Sequence, residues 1–109
     1  LGYSEAINNI IYTRKWRDFC FNYFEKFPNP KTSNIKDYYN NFKVKIKELE
    51  KYLGKNGEKI SSYTRKEISD LKWSLMVELS SYYYSDQSRY ILNTFRDSDV
   101  KKAIEEMSN

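Results

Sequence analysis

The chain of 109 residues contains no histidine, one cysteine, three glycines and two prolines. Without histidine and with a single cysteine, it cannot build a Cys/His zinc site, a histidine proton shuttle or an internal disulfide framework. The scarcity of glycine and proline argues against a β-sandwich or barrel, which needs frequent turns. No apolar run approaches the roughly 18 residues of a membrane-spanning helix. These absences favour a helical protein without a membrane span.

The composition is that of one folded domain with a basic surface. Hydrophobic residues make up 39% and aromatic residues 17% of the chain, which is enough for a dense core and argues against disorder. The formal net charge is +4, which suits a polyanionic partner. We therefore expect a single helical domain over residues 1–109. Because the chain begins at Leu1 without a methionine, we also expect it to lack the N-terminal arm of a longer protein.

Two helices are predicted in the first half of the chain. The first runs from the N-cap Ser4 to Phe27, where Pro28 ends it. The second opens at the N-cap Asn34, carries an apolar stripe as far as Leu53, and ends with Gly54 just beyond its last turn.

Two further helices are predicted in the second half. Thr64 and Glu67 have the spacing of a capping box at the start of the third helix, with Ser61 and Ser62 as alternative starts. The polar segment 85–88 precedes the fourth helix. Asp97 and Ser98 are placed to interrupt that last helix. The sequence thus predicts an all-α four-helix bundle with a break near Asp97. Its expected core residues are Trp16, Phe19, Phe42, Ile46, Leu71, Leu75 and Leu79.

Little in the sequence supports enzymatic chemistry. Cys20 lies on the apolar stripe between Phe19 and Tyr23, and no histidine exists to activate it, so we expect it to be buried in the core. Adjacent carboxylates lie on polar faces or at helix starts, and no phosphate-binding glycine pattern is present. We expect no catalytic residue, metal site, cofactor or small-molecule substrate.

Two groups of cations are candidate phosphate contacts. Arg14, Lys15 and Arg17 surround one tryptophan. Lys36, Lys43, Lys47 and Lys51 of the second helix fall within about 80° of one another on its outer face. Lysine and arginine can bind phosphates without reading bases, although a solvated helix surface carries the same residues. The candidate residues are Arg14, Lys15, Arg17, Lys36, Lys43, Lys47, Lys51 and Lys55.

Tyr82, Tyr83, Tyr84 and Tyr90 are more tyrosines than one buried stripe can hold. Consecutive helical residues point about 100° apart, so at least one of the first three must face away from the core or lie in an interface. Such a ring either keeps its hydroxyl in water or contacts another protein. We therefore take these four tyrosines as candidate assembly residues.

The C-terminal stretches 79–92 (LSSYYYSDQSRYIL) and 95–107 (FRDSDVKKAIEEM) resemble the major coat proteins of filamentous and rod-shaped archaeal viruses, of the lipothrixvirus type. The resemblance implies a virion structural protein that binds linear double-stranded DNA without sequence preference. It also implies self-assembly into a filament, a second related coat protein as partner, and a location in the virion and, during assembly, in the host cytoplasm. The alternative is a helical adaptor that docks a partner protein through exposed aromatic residues and has no nucleic-acid role.

Overall fold

The computed structural model describes residues 2–107, and this range folds into six α-helices and one short 3₁₀ turn. The helices are α1 (Glu5–Ile11), α2 (Arg14–Lys26), α3 (Ile35–Asn41), α4 (Ile46–Lys55), α5 (Arg65–Tyr83) and α6 (Ser88–Met107), and the 3₁₀ turn is Ile60–Ser62. Residues 2–107 contain no β-strand. The all-helical class is confirmed, whereas the four-helix bundle is not, because each of the first two predicted helices is divided in two.

Thr13 divides the first predicted helix. Its hydroxyl accepts a hydrogen bond from the Trp16 N–H at 3.2 Å and donates one to the Ile10 carbonyl at 2.7 Å. One side chain therefore satisfies a free carbonyl at the end of α1 and a free N–H at the start of α2. The predicted end before Pro28 is confirmed, because α2 stops at Lys26 with Phe27 as its C-cap.

The second predicted helix is interrupted by an extended segment over residues 42–45. Phe42 and Val44 both pack against the core, whereas the lysine that follows each of them, Lys43 and Lys45, is exposed. Only an extended backbone sends alternate side chains to opposite sides, so burying both apolar residues excludes a helix here. The Lys45 N–H is satisfied by donating to the Tyr23 hydroxyl at 2.9 Å.

Of the two helix ends predicted from Asn34 and Gly54, one is confirmed. Asn34 caps α3 by accepting the Asp37 N–H at 2.8 Å, as expected. The predicted stop at Gly54 is wrong, because α4 continues to Lys55 and the left-handed residue is Gly57, with φ of 77°. The Glu58 N–H donates to the Leu53 carbonyl at 2.8 Å and the Gly57 N–H to the Gly54 carbonyl at 3.1 Å. This pair of bonds is a Schellman motif.

Helix α5 is the central element of the fold and packs against α1, α2 and α6. It begins with the predicted capping box, in which Thr64 accepts the Glu67 N–H at 3.1 Å and its own N–H donates to the Glu67 carboxylate at 2.9 Å. The backbone bond to Glu67, together with the Ser4 hydroxyl, lowers the pKa of that carboxyl.

The core consists of a larger and a smaller cluster. The larger one joins α1, α2, α4 and α5 through Ile7, Trp16, Cys20, Tyr23, Leu49, Leu53, Leu71, Leu75 and Leu79. The smaller one joins α3, α5 and α6 through Tyr38, Met76 and Leu92. Of the predicted core residues, Trp16, Leu71, Leu75 and Leu79 are buried, while Phe19, Phe42 and Ile46 are partly buried against the larger cluster. Cys20 is fully buried as predicted, and burial raises the pKa of its thiol.

Helix α6 is continuous from Ser88 to Met107, so the predicted break near Asp97 is wrong. Its buried residues are Ser88 and Leu92, and every residue from 97 to 107 is exposed. We call residues 97–107 the α6 arm. At its base the Tyr39 hydroxyl donates to Asp99 at 2.5 Å. Within the described range no helix has both the length and the apolar character needed to cross a bilayer.

Candidate nucleic-acid interface

Two neighbouring grooves gather lysines on one side of the molecule. The α2–α4 groove, of about 470 Å³, lies between those helices and has Phe19, Tyr23 and Tyr52 along it. Two carboxylates, Asp18 and Glu48, also line it. Its lysines are Lys15, Lys26, Lys51 and Lys55. The aromatic lining and the cationic rim make it an amphipathic surface.

The second groove, of about 560 Å³, runs beside the loop that joins α2 to α3, and we call it the proline-loop groove. Phe27, Phe42 and Tyr83 contribute aromatic surface, and Asp37 is the carboxylate in its lining. Its lysines are Lys26, Lys31, Lys43 and Lys45. Because both grooves share Tyr23 and Lys26, they form one continuous surface, which we call the basic face.

Most lysines of the basic face keep their charge unpaired. Glu48 lies 2.6 Å from Lys26 and 3.9 Å from Lys51, and the Lys26 hydrogen bond lowers the pKa of that carboxyl. For the other five lysines the described residues offer no carboxylate within ion-pair distance: these are Lys15, Lys31, Lys43, Lys45 and Lys55. A polyanion would therefore meet unneutralised ammonium groups here.

Asp37 does little to neutralise these lysines. Its carboxylate accepts the Ser33 N–H at 2.9 Å and the Asn41 side-chain amide at 2.6 Å. The Ser33 N–H makes the largest contribution to lowering the pKa of this carboxyl below its ordinary value, and the Asn41 amide adds to it. The negative charge is thus engaged by groups at the two ends of α3.

Phe27 positions two of the ammonium groups. Lys26 Nζ lies 5.5 Å and Lys45 Nζ 5.2 Å from the centre of its ring, within the range of a cation–π contact. The Phe27 carbonyl accepts the Tyr83 hydroxyl at 2.6 Å, which anchors this residue to α5. Lys26 of α2 and Lys45 of the extended segment therefore lie beside the ring of one residue whose backbone is fixed to α5.

The structure brings together four of the eight predicted phosphate-binding residues, namely Lys15, Lys43, Lys51 and Lys55. The predicted ridge of lysines on one helix is wrong, because the break at residues 42–45 separates Lys36 from Lys47 and Lys51. Lys36 instead lies over the Phe95 ring at 4.3 Å, and Lys47 is exposed outside the grooves.

The predicted cluster at residues 14–17 is also spread around its helix. Arg14, Lys15 and Arg17 are all exposed, but only Lys15 lines the basic face. Lys15 and Arg17 are about 200° apart around α2 at 100° per residue, so one flat surface cannot contact both. Adjacency in the sequence does not make them one site.

Three lysines of the basic face were missed by the sequence analysis: Lys26, Lys31 and Lys45. Lys26 and Lys31 lie on either side of the two prolines, and Lys45 lies in the segment that was predicted to be helical. A usable signal existed in the alternation of Phe42, Val44 and Ile46 with three lysines, since a period of two indicates an extended backbone.

The four candidate assembly tyrosines have different environments. Tyr83 is turned inward with its hydroxyl on the Phe27 carbonyl, and the Tyr84 hydroxyl is 2.6 Å from the Thr32 hydroxyl. Tyr82 is 37% exposed and stacks on Phe24, with 5.2 Å between ring centres. Tyr90, on α6, is 77% exposed. Tyr82 and Tyr90 are therefore the two of the four that offer surface to a partner.

The described residues contain no group of three or more histidine, cysteine, aspartate or glutamate side chains arranged to hold a metal ion. Comparison with known proteins finds no matching family model, curated protein or solved structure. The function is therefore argued from the basic face and the exposed surfaces of this chain.

Proposed function

We propose that this protein binds double-stranded DNA without sequence preference and assembles on it as a structural coat protein of a filamentous virion. The observation that supports DNA binding is the basic face, where seven lysines converge on two adjoining grooves lined by three carboxylates. Five of those lysines have no carboxylate within ion-pair distance in the described part of the chain. The binding is electrostatic, and no catalysis is involved.

The chemistry of lysine explains why such binding ignores base sequence. An ammonium group on a flexible stem is a point charge that meets phosphate oxygens from many directions. Each contact releases counterions condensed on the duplex, so the affinity falls steeply with salt. The basic face carries no arginine, whose rigid planar guanidinium is better suited than lysine to bidentate recognition.

Assembly also needs surfaces through which one subunit contacts another. Tyr82 and Tyr90 supply exposed rings with hydroxyls, and neither lines the grooves. Stiff amphipathic rings are typical of protein–protein contacts. In this proposal the partners are further copies of the chain and a related second coat protein, in the virion and, before that, in the host cytoplasm.

The DNA proposal is tested by the salt dependence of duplex binding. The triple variant Lys15→Ala, Lys43→Ala, Lys55→Ala removes charges from both grooves. If all three contact phosphates, the slope of log K against log salt concentration should become shallower by about 3, at about 0.9 per contact. Fluorescence anisotropy with two linear duplexes of unrelated sequence measures the slope and the sequence preference together.

The matched control is Arg65→Ala, Lys59→Ala, Lys72→Ala, which removes the same charge from exposed positions outside both grooves. Its slope should remain near that of the unmodified protein. Equal slopes for the two triple variants would mean that net charge and not the basic face governs binding. Electron microscopy of the protein with linear duplex should show ordered filaments, and scattered complexes would contradict the coat role.

One observation favours the adaptor as a second candidate function. Phe21 and Tyr82 are exposed and lie with Phe24 in one aromatic patch, with ring centres 5.2 to 6.3 Å apart. An exposed aromatic patch is a common protein-docking surface. An adaptor would show no appreciable duplex binding in the same titration, so one experiment separates the two functions.

A further inference from the structure

We propose that the α6 arm of one copy docks into the α2–α4 groove of a second copy. This contact needs no DNA. It names a surface for the assembly part of the proposed function and depends on that part alone. Its support is the match between an acidic, apolar-striped helix and a basic, aromatic-lined groove.

The arm exposes an apolar stripe. Val100 is 44%, Ile104 59% and Met107 86% exposed. At 100° per residue, Ile104 and Met107 lie within about 40° of Val100, and Ala103 is about 60° away. The stripe therefore follows one side of about the last two helical turns, with the spacing by which a helix engages a groove.

The arm is acidic although the whole chain is basic. Residues 97–107 carry the carboxylates Asp97, Asp99, Glu105 and Glu106 against the lysines Lys101 and Lys102. Asp99 and Glu106 border the apolar stripe on one side, about 100 to 120° from Val100. Lys101 lies about 100° from Val100 on the other side, and Lys102 is about 160° away. One edge of the stripe is thus negative.

The α2–α4 groove has the complementary features. Lys15 and Lys55 are exposed on its rim without a carboxylate in ion-pair distance among residues 2–107. Phe19, Tyr23 and Tyr52 supply aromatic surface, with 4.5 Å between the Phe19 and Tyr52 ring centres. Methionine and aliphatic side chains pack well on such rings. The groove therefore offers aromatic surface to the apolar stripe and ammonium groups to its acidic edge.

The partner of the arm is a second copy and not DNA or the same chain. The arm carries four carboxylates against two lysines, and this net negative charge repels phosphates, which argues against a DNA contact. Within one chain α6 packs on α3 and α5, whereas the groove lies between α2 and α4. Because arm and groove are different surfaces, the contact repeats head to tail and yields a ring or an open filament.

The test is self-association without DNA, measured by sedimentation velocity at low salt. The arm variant Glu105→Lys, Glu106→Lys and the groove variant Lys15→Glu, Lys55→Glu should each sediment as a monomer, because arm and groove then carry the same sign of charge. Mixing the two variants restores opposite charges at both contacts. The mixture should therefore recover the association of the unmodified protein, which loss of folding cannot do.

The matched control is Lys59→Glu, Lys72→Glu, which makes the same charge change outside the groove and should still associate. A monomeric unmodified protein at low salt, or a mixture that stays monomeric, would overturn the arm contact. Because the α2–α4 groove is part of the basic face, arm and DNA compete for Lys15 and Lys55, and the arm variant should bind duplex at least as tightly as the unmodified protein. Failure of the arm contact therefore leaves the DNA proposal standing, and failure of DNA binding leaves the arm contact standing.

Discussion

Helices α5 and α6 are nearly equal in length, at 19 and 20 residues, yet they are ordered by different forces. Six residues of α5 are buried, and only Ser88 and Leu92 are buried in α6. Most helical stability in proteins comes from packing an apolar face and not from intrinsic propensity. Two helices of similar length thus differ in role: α5 is a core element, whereas most of α6 is exposed surface.

Near the start of the α6 arm, the two helices are joined by a charged and aromatic junction. Asp70 of α5 is buried and lies 2.9 Å from Lys66 and 3.9 Å from Arg96 of α6. Arg96 also lies over the Trp73 ring, at 4.7 Å from its centre. From the next residue, Asp97, to Met107 every residue is exposed, so this junction lies where the buried side of α6 ends.

The largest effect on stability is expected from truncating a core side chain of α5. Leu75→Ala should lower the free energy of unfolding by about 2 to 5 kcal/mol, because Leu75 is fully buried in the larger cluster. Chemical denaturation followed by circular dichroism measures the loss. Val100→Ala on the exposed α6 arm is the matched control and should cost less than about 0.5 kcal/mol. Similar losses at both positions would contradict the contrast between the helices.

Helix boundaries with a local cause were predictable from the sequence. The capping pair Thr64 and Glu67, the cap Asn34 and the stop before Pro28 were all placed correctly. Each depends on a side chain and a backbone group a few residues apart, which sequence spacing determines.

Features that depend on distant packing were not predictable in the same way. The break at residues 42–45 exists because Phe42 and Val44 both pack against a core supplied by other helices. Helix α6 continues through Asp97 and Ser98, which shows that two consecutive polar residues with capping side chains do not by themselves end a helix. The basic face likewise needs α2, the proline loop and α4 to meet, so only half of its predicted residues were placed together.

A smaller effect is expected at Tyr38, where α3 joins α5 and α6. Tyr38 is fully buried between them, and its hydroxyl donates to the Met76 carbonyl of α5 at 2.6 Å. Tyr38→Phe keeps the ring and removes that bond, so the free energy of unfolding should fall by about 0.5 to 1.5 kcal/mol. Tyr90→Phe, with its ring 77% exposed, is the control and should change stability little. An equal loss at Tyr90 would mean that the buried Tyr38 hydroxyl stabilises the fold no more than an exposed one.

The smallest effect on global stability is expected from a glycine in the α6 arm. Glycine costs about 1 kcal/mol relative to alanine in a helix interior, wherever that helix is. In α5 the exposed position Lys72 belongs to a helix that unfolds only with the core, so Lys72→Gly should lower global stability by nearly that amount. Because residues 97–107 are exposed, we expect them to open separately from the core, and Ala103→Gly should then leave the unfolding midpoint unchanged. Its cost should instead appear locally, as amide hydrogen exchange about fivefold faster in the arm, which hydrogen-exchange mass spectrometry at low protein concentration resolves. A lowered midpoint for Ala103→Gly would show that the arm unfolds together with the core and that α6, like α5, is ordered as one unit.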